Sequence, residues 1–265
     1  MRFARTYVVV FLSFAVPISV HAQQTTTTTT QPSPQRDPQA VAIVQQSVEA
    51  VASTAPSDSS ATGTVAIVEG STTVSGTIQI LTLGIAQTSE TLTLPSGQRV
   101  VVYSNGDAKE TTGTQSTVPT LELAVNDQCT DFPLPLLLAA LYNPDSAFRY
   151  IGAESLNGTP VKHIQLSNAY SSNSRLRPLA PFSTKDIWFD STSGLPLKIA
   201  YVRRAGAGEV PSFAVEVSFS NYTRVNGVLY PFQIEKSFNG TPWQTITIQS
   251  VSFNTGLTAS QFQVE

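Results

Sequence analysis

His163 is the only histidine after position 21, and Cys129 is the only cysteine in the chain. A Ser-His-Asp hydrolase would need His163 as its base. That residue stands mid-strand in Val161-Lys-His-Ile-Gln-Leu166, on the parity opposite Ile164 and Leu166, and no Gly-x-Ser-x-Gly turn supplies a nucleophile. It reads as a surface residue of a strand. Cys129 lies near Asp127 and Asp131, whose charges raise a thiol pKa rather than activate the thiol, so it reads as structural. One histidine and one cysteine cannot build a nitrogen and sulfur metal cluster, and no acidic run has EF-hand spacing. Asp186 and Asp190 would stand ~13 Å apart on an extended strand at ~3.3 Å per residue, too far for a pair of glycosidase carboxylates. Asp190 reads instead as the start of a turn. Glycine loops for phosphates or dinucleotides are absent. Trp188 and Trp243 have faces on which a sugar can stack, although strand tryptophans ordinarily pack in a core. These side chains point to a protein that is not an enzyme and uses no metal or cofactor.

The elements that must position these residues are legible from turn chemistry. Asn-Gly pairs at Asn105-Gly106, Asn157-Gly158, Asn226-Gly227 and Asn239-Gly240 separate stretches rich in Val, Ile, Thr, Phe and Tyr. Asn-Gly tolerates the positive φ angles of a tight hairpin, so each pair marks a strand folding back on its neighbour. Strands are expected over 64–69, 75–83, 86–94, 98–104 and on to 112, with residues 54–62 as a loop. A second series is expected over 149–156, 160–167, 186–190, 195–202, 213–223, 228–238 and 243–253, with a polar loop over 168–183. In the last of these, Ile246 and Ile248 share one parity while Val251 and Phe253 share the other, which predicts a one-residue bulge near Gln249-Ser250.

Helices interrupt this rhythm. Asp37 can cap a helix with Pro38 at its first position, and Val41, Ile43, Val44, Val48 and Val51 then form one apolar face. Residues 119–126 and 132–142 also look helical. The second, Phe132-Pro-Leu-Pro-Leu-Leu-Leu-Ala-Ala-Leu-Tyr142, is apolar nearly all round, so it is either an ordinary core helix or a lid over an apolar pocket.

Arg2 and Arg5, an apolar run from Tyr7 to Val20 and the small-residue site before Gln23 make residues 1–22 an expected secretory signal peptide. The polar tract 23–36 reads as a disordered spacer, and 37–265 as a single domain long enough to bury a core without metal or disulfide help. No later segment is long enough to span a bilayer, and no cysteine follows the leader to take a lipid. The expected location is therefore the periplasm or the exterior, with no transmembrane anchor. Without the leader, 13 Lys and Arg (15 less 2) face 18 Asp and Glu, a net charge of −5. Such a chain has no positive stripe for a nucleic-acid partner. The pairs Arg175/Arg177 and Arg203-Arg204 read as solvated strand or loop ends, and the sequons at Asn157, Asn221 and Asn239 as turn chemistry.

The strings Asp186-Ile-Trp-Phe-Asp190 and Ser193-Gly-Leu-Pro-Leu-Lys-Ile199 form a hairpin with a family likeness. It continues in Phe219-Ser-Asn-Tyr222, in Val225-Asn-Gly-Val-Leu-Tyr-Pro-Phe232 and in Asn254-Thr-Gly-Leu-Thr-Ala-Ser-Gln-Phe262. Over roughly 148–262 the chain resembles the LolA/LolB-like superfamily, which includes carriers that sort outer-membrane lipoproteins. The resemblance implies an α+β, mainly antiparallel fold: a strongly curved open sheet, a half-barrel, with helices on its concave side. It also implies an apolar ligand held between sheet and helices. No basic residue here falls in a matching motif, so none is carried over. Phe148, Ile164, Phe189, Leu197, Phe219, Phe232 and Ile248 become the candidate ligand lining, with Leu137 and Leu141 in the segment covering them. Parity alone does not separate such a lining from closed core. The expected function is an exported soluble protein binding or carrying a hydrophobic ligand, a lipid or lipoprotein acyl chain, in the cell envelope. The alternative is a structural or interaction module with a filled core, partnered by an envelope protein.

Overall fold

The computed structural model describes residues 34–204 and 212–264. The expected leader and the spacer up to residue 33 lie outside the described residues. Helix α1 (Pro38–Val51) is followed by strands β1 (Asp58–Glu69), β2 (Thr72–Leu83), β3 (Gln87–Leu94), β4 (Gly97–Ser104), β5 (Asp107–Thr112) and β6 (Gln115–Thr117). Two helices, α2 (Leu121–Asp127) and α3 (Pro133–Tyr142), lead to β7 (Ser146–Leu156), β8 (Thr159–Asn168), β9 (Lys185–Asp190) and β10 (Pro196–Arg204). The chain ends in β11 (Ser212–Val225), β12 (Val228–Phe238) and β13 (Thr241–Phe253), with short 3-10 turns at Arg177–Phe182 and Ala259–Phe262.

All of these strands form one antiparallel sheet of 13, in the order β6-β5-β4-β3-β2-β1-β13-β12-β11-β10-β9-β8-β7. Two meanders are stitched together at the centre, where β1 pairs with β13. The outer strands β6 and β7 do not pair with each other, so the sheet is open. Each Asn-Gly pair makes the expected turn, with both residues at positive φ: 53° and 90° at Asn105-Gly106, 50° and 86° at Asn157-Gly158. The expected bulge is present as well. Thr62 faces Ser250 and Gly63 faces Ile248, which leaves Gln249 as the extra residue.

Two boundaries differ from the expectation. Residues 58–62 are strand rather than loop, because they pair with β2 on one side and β13 on the other. Their Ser, Ala and Thr side chains lack an apolar signature, yet alternate members are buried. The spacer also ends earlier than expected. Phe148 N–H donates to Gln35 O at 2.9 Å, Asp37 N–H donates to Phe148 O at 3.0 Å, and so residues 35–37 cover the edge of β7. The Arg36 guanidinium meanwhile donates to the Leu141 and Asn143 carbonyls at 3.0 and 2.9 Å, closing the C-terminus of α3.

The curvature follows from what the helices touch. Helix α2 has 7 residues and is about 10 Å long at 1.5 Å per residue. It packs on both β5 and β10, which lie eight places apart in the strand order. In a flat sheet with strands ~4.8 Å apart they would be separated by ~38 Å. The sheet therefore curls round the helices. Inside the curl, α1 contributes Ala40, Ile43, Val44 and Val51, and α3 contributes Leu134 and Leu137, to one core with the inward residues of the strands.

The bulge depends on Gly63. A Cβ there would lie 2.2 Å from the Thr247 carbonyl oxygen and 2.9 Å from Ile248 Cα, both backbone atoms that cannot swing aside. Gly63→Ala should therefore destabilise the fold by ~1–3 kcal/mol, the usual cost of overpacking, seen as a lower urea midpoint. A neutral result would mean that the two central strands can part without penalty.

Candidate functional site

The residues that chemistry first singled out are occupied elsewhere. His163 Nδ1 contacts Glu154 Oε1 at 2.8 Å, and its Nε2 contacts Asp186 Oδ1 at 2.8 Å. With both ring nitrogens engaged by carboxylates, it has no free nitrogen to serve a nucleophile. It stacks on Trp188 at 4.3 Å between centroids, and Lys198 Nζ lies 4.1 Å from that ring centroid. Trp188 therefore packs on the outer face and not in a core, because Ile187 and Phe189 take the inward parity of β9. Trp243 does pack against the main core, with its ring centroid 4.9 Å from that of Phe238. Cys129 is buried, its Sγ 3.0 Å from the Thr88 hydroxyl, and burial pushes its thiol up to about 11. Asp190 holds the expected turn, accepting from the Thr192 and Ser193 amides at 3.0 and 2.6 Å. Among the described residues, no three His, Cys, Asp or Glu side chains converge as metal ligands.

Most of the expected ligand lining is closed packing. Leu137, Phe148, Ile164, Phe189, Phe219 and Ile248 are buried in the main core, and Leu141 and Phe232 pack against it half-buried. Leu197 is displaced by a feature not read from the sequence. A bulge shifts the register between Pro196 and Lys198, which turns Pro196 inward and leaves Leu197 half-buried beside an outer hollow of about 480 Å³ bordered also by Phe219. The middle of the half-barrel is thus filled.

Besides the hollow at Leu197 and one of about 450 Å³ at Leu123, Arg203, Phe213 and Phe238, free volume lies where the two wings of the open sheet face each other beneath the helices. A cavity of about 270 Å³ is bordered on one wing by Ile85 and Ala86 after β2 and by Asn105-Gly106 between β4 and β5. On the other wing stand Leu166 of β8, Lys185 of β9, and Tyr170 and Leu176 of the loop between them. Val125 of α2 and Leu136, Ala139 and Ala140 of α3 form the roof. A second hollow of about 130 Å³ lies against Phe132, Leu134, Pro135 and Leu138, and Ile85 borders both spaces. Helix α3 is therefore core helix and lid at once: Leu137 is sealed, while Leu134, Leu136 and Ala139 face free space. Tyr142 at its end is 71% exposed.

Next to the cavity is a set of inward-facing charges. Lys236 of β12 lies 2.6 Å from Asp131, in the α2–α3 connection, and 3.9 Å from Glu90 of β3. Asp131 is 1% exposed, and its carboxylate is satisfied by charge rather than by a well-angled hydrogen bond. Burial, then the neighbouring Asp131 charge, pushes Glu90 up to about 8, against the opposing pull of Lys236. Arg99 donates to Glu110 at 2.8 and 2.9 Å. Arg203 and Arg204 are not solvated strand ends. Arg203 pairs with Asp127 at 3.5 Å, and Arg204 Nε donates to buried Glu122 at 2.8 Å, so both tie α2 to β10. Arg175 pairs with Asp107, linking the long loop to the β4–β5 turn, and Arg177 Nη2 donates to Ser171 O at 2.7 Å.

Several known structures share this fold. A LolA superfamily protein from Nitrosomonas europaea superposes with a TM-score of 0.57 at 11% identity, over 84% of this chain and 97% of that one. A protein described as an outer membrane lipoprotein-sorting protein domain, from Vibrio parahaemolyticus, gives 0.57 at 13% identity, over 84% and 96%. A DUF1329 family protein from Desulfovibrio piger gives 0.56 at 11%, over 84% and 97%. The fold is LolA-like. No family model matches the sequence, and no curated protein is a significant match. On this LolA-like frame the charged cluster was not read from the sequence. Yet parity pointed to it, since Glu90 shares a face with Leu92, Lys236 with Ile234, and Lys185 with Ile187 and Phe189.

The Glu90 carboxyl sits above its unfolded value of 4.5, so the folded state holds a proton that the unfolded state releases. Its stabilising contribution is complete below pH ~4.5 and is lost as pH rises through about 8. Each unit of that displacement is worth about 1.4 kcal/mol. Glu90→Gln should flatten the fall in melting temperature between pH 5 and pH 8. An unchanged pH slope in the variant would show that Glu90 ionises freely in the fold.

Proposed function

We propose that this protein binds an apolar ligand in the cavity beneath α3 and acts as a lipid-binding or carrier protein of the cell envelope, without enzymatic activity. The observation that carries this reading is the cavity itself. It is about 270 Å³, close to the lower end of ordinary small-ligand sites at ~300 Å³, and its walls combine an apolar stretch from Ile85, Val125, Leu136, Ala139, Leu166 and Leu176 with a polar border of Asn, Gln, Ser and Lys side chains. Its roof is a helix with almost no polar residue to anchor it elsewhere. Burying an apolar chain there supplies affinity at about 25 cal/mol per Å² before association costs. The LolA-like fold supports the same reading, and the sequence of residues 1–22 supports export. Among the described residues no helix is long and apolar enough to cross a membrane.

A second reading is favoured by the packed middle of the half-barrel: a module that keeps its core filled and works through an envelope protein. The two readings differ in what the cavity does. A neutral naphthylamine dye that brightens in apolar surroundings should bind the native protein. Ala139→Trp, which projects an indole into the space, should weaken that binding tenfold or more while the circular dichroism spectrum stays the same. Native mass spectra of the protein purified after export should also show bound lipid. No dye binding and no lipid would favour the filled module.

A further inference from the structure

Lys185 is a buried cation that packing does not account for. It is 7% exposed, and its ammonium donates one hydrogen bond, to the Asn126 carbonyl at 2.6 Å. The Tyr201 ring centroid lies 4.4 Å away. Among the described residues no carboxylate comes within 4.0 Å of it. Asp127, whose charge acts on it through space, is already engaged by the Tyr201 hydroxyl at 2.8 Å and by Arg203 at 3.5 Å. An ammonium offers three N–H donors, so two remain for a further acceptor. Burial lowers its pKa to about 8, which leaves it mostly charged at neutral pH. A buried charge without a counter-ion costs stability. An ionisable group perturbed by burial and bordering a cleft is a candidate for a functional site.

Its position gives the ligand its orientation. Lys185 pairs across the ladder with Leu166, and both border the cavity, with Leu136 and Ala139 on the roof and Leu176 in the loop. A cation thus borders the cavity together with these apolar side chains and with polar Asn126, Asn168 and Ser183. We propose that the cavity takes a single-chain anionic amphiphile, its carboxylate paired with Lys185 and its chain lying along Leu166, Leu136 and Ala139. This rests on the cavity being the ligand site and adds the charge and size of the occupant. The volume of about 270 Å³ suits one short chain rather than a lipid with several. A neutral ligand would leave the ammonium without its partner, and a cationic one would be repelled by it.

The test is displacement of the neutral naphthylamine dye at pH 7 by decanoate, decanol and decyltrimethylammonium, all below their micelle concentrations. Decanoate should displace the dye about ten- to a hundredfold more strongly than decanol, in line with one charge-assisted hydrogen bond, and decyltrimethylammonium more weakly than either. Lys185→Met should abolish the preference for decanoate and leave decanol unchanged, whereas Lys185→Arg should keep it. If Lys185→Met does not fold, the ratio of decanoate to decanol on the native protein decides. Equal displacement by the two would overturn the charged occupant while leaving the cavity as a ligand site. A preference that survives in Lys185→Met would overturn the role of Lys185. Failure of the dye to bind at all would overturn the ligand site and this inference with it.

Discussion

The fold depends on a contact across the hollow of the sheet. Glu90 and Lys236 stand on β3 and β12, four places apart in the strand order, which is ~19 Å in a flat sheet. Their side chains nevertheless approach to 3.9 Å, with Asp131 closing on Lys236 from the helical connection at 2.6 Å. Such an approach is possible only when the sheet is curled. Once it is curled, the side chains of Asp131, Lys236 and Glu90 face each other where water is scarce. Breaking such a group by removing one partner leaves an uncompensated charge in the interior. The contact therefore makes the bent arrangement specific, while the apolar residues make it favourable.

From that constraint the distribution of free space follows. The charges fill one region of the hollow, and α1 and the inner part of α3 fill the middle with aliphatic and aromatic side chains. The cavity beneath α3 lies beyond these filled regions, between residues of the two wings. A closed barrel would pair β6 with β7; this sheet leaves them apart, and helix α2 packs on both β5 and β10. The arginines of β10 fasten α2 to one wing through Glu122 and Asp127, while Val101, Tyr103, Ala108 and Ala124 fasten it to the other. Helix α3 lacks ion pairs of that kind on its own surface. Its C-terminus is held by Arg36, from the segment that also covers the edge of β7. The roof of the cavity is thereby tied down at its ends, and apolar contacts alone hold it in between.

Much of this architecture is determined by the amino-acid sequence itself, wherever the governing physics is local. Asn-Gly sets a positive φ at two adjacent residues and so places each hairpin. Asp37 and Pro38 start α1, and the change of parity between Ile248 and Val251 locates the bulge at Gln249. Where neighbouring strands supplied the order, the signal was weak. Residues 58–62 became strand because β2 and β13 offered hydrogen bonds on both sides, and Leu197 turned outward because of a bulge with no mark in its own residues.

The site is different in kind. Ile85 and Lys185 are a hundred residues apart in the chain, yet both border one cavity, and no spacing rule links them. Alternation along each strand told which apolar side chains point inward, among them Ile164, Phe189, Phe219 and Ile248. It did not tell which inward residues would be sealed by a helix, paired with an opposite charge, or left facing free space. That outcome depends on how far the sheet curls and where α3 comes to rest, and only the folded chain decides both.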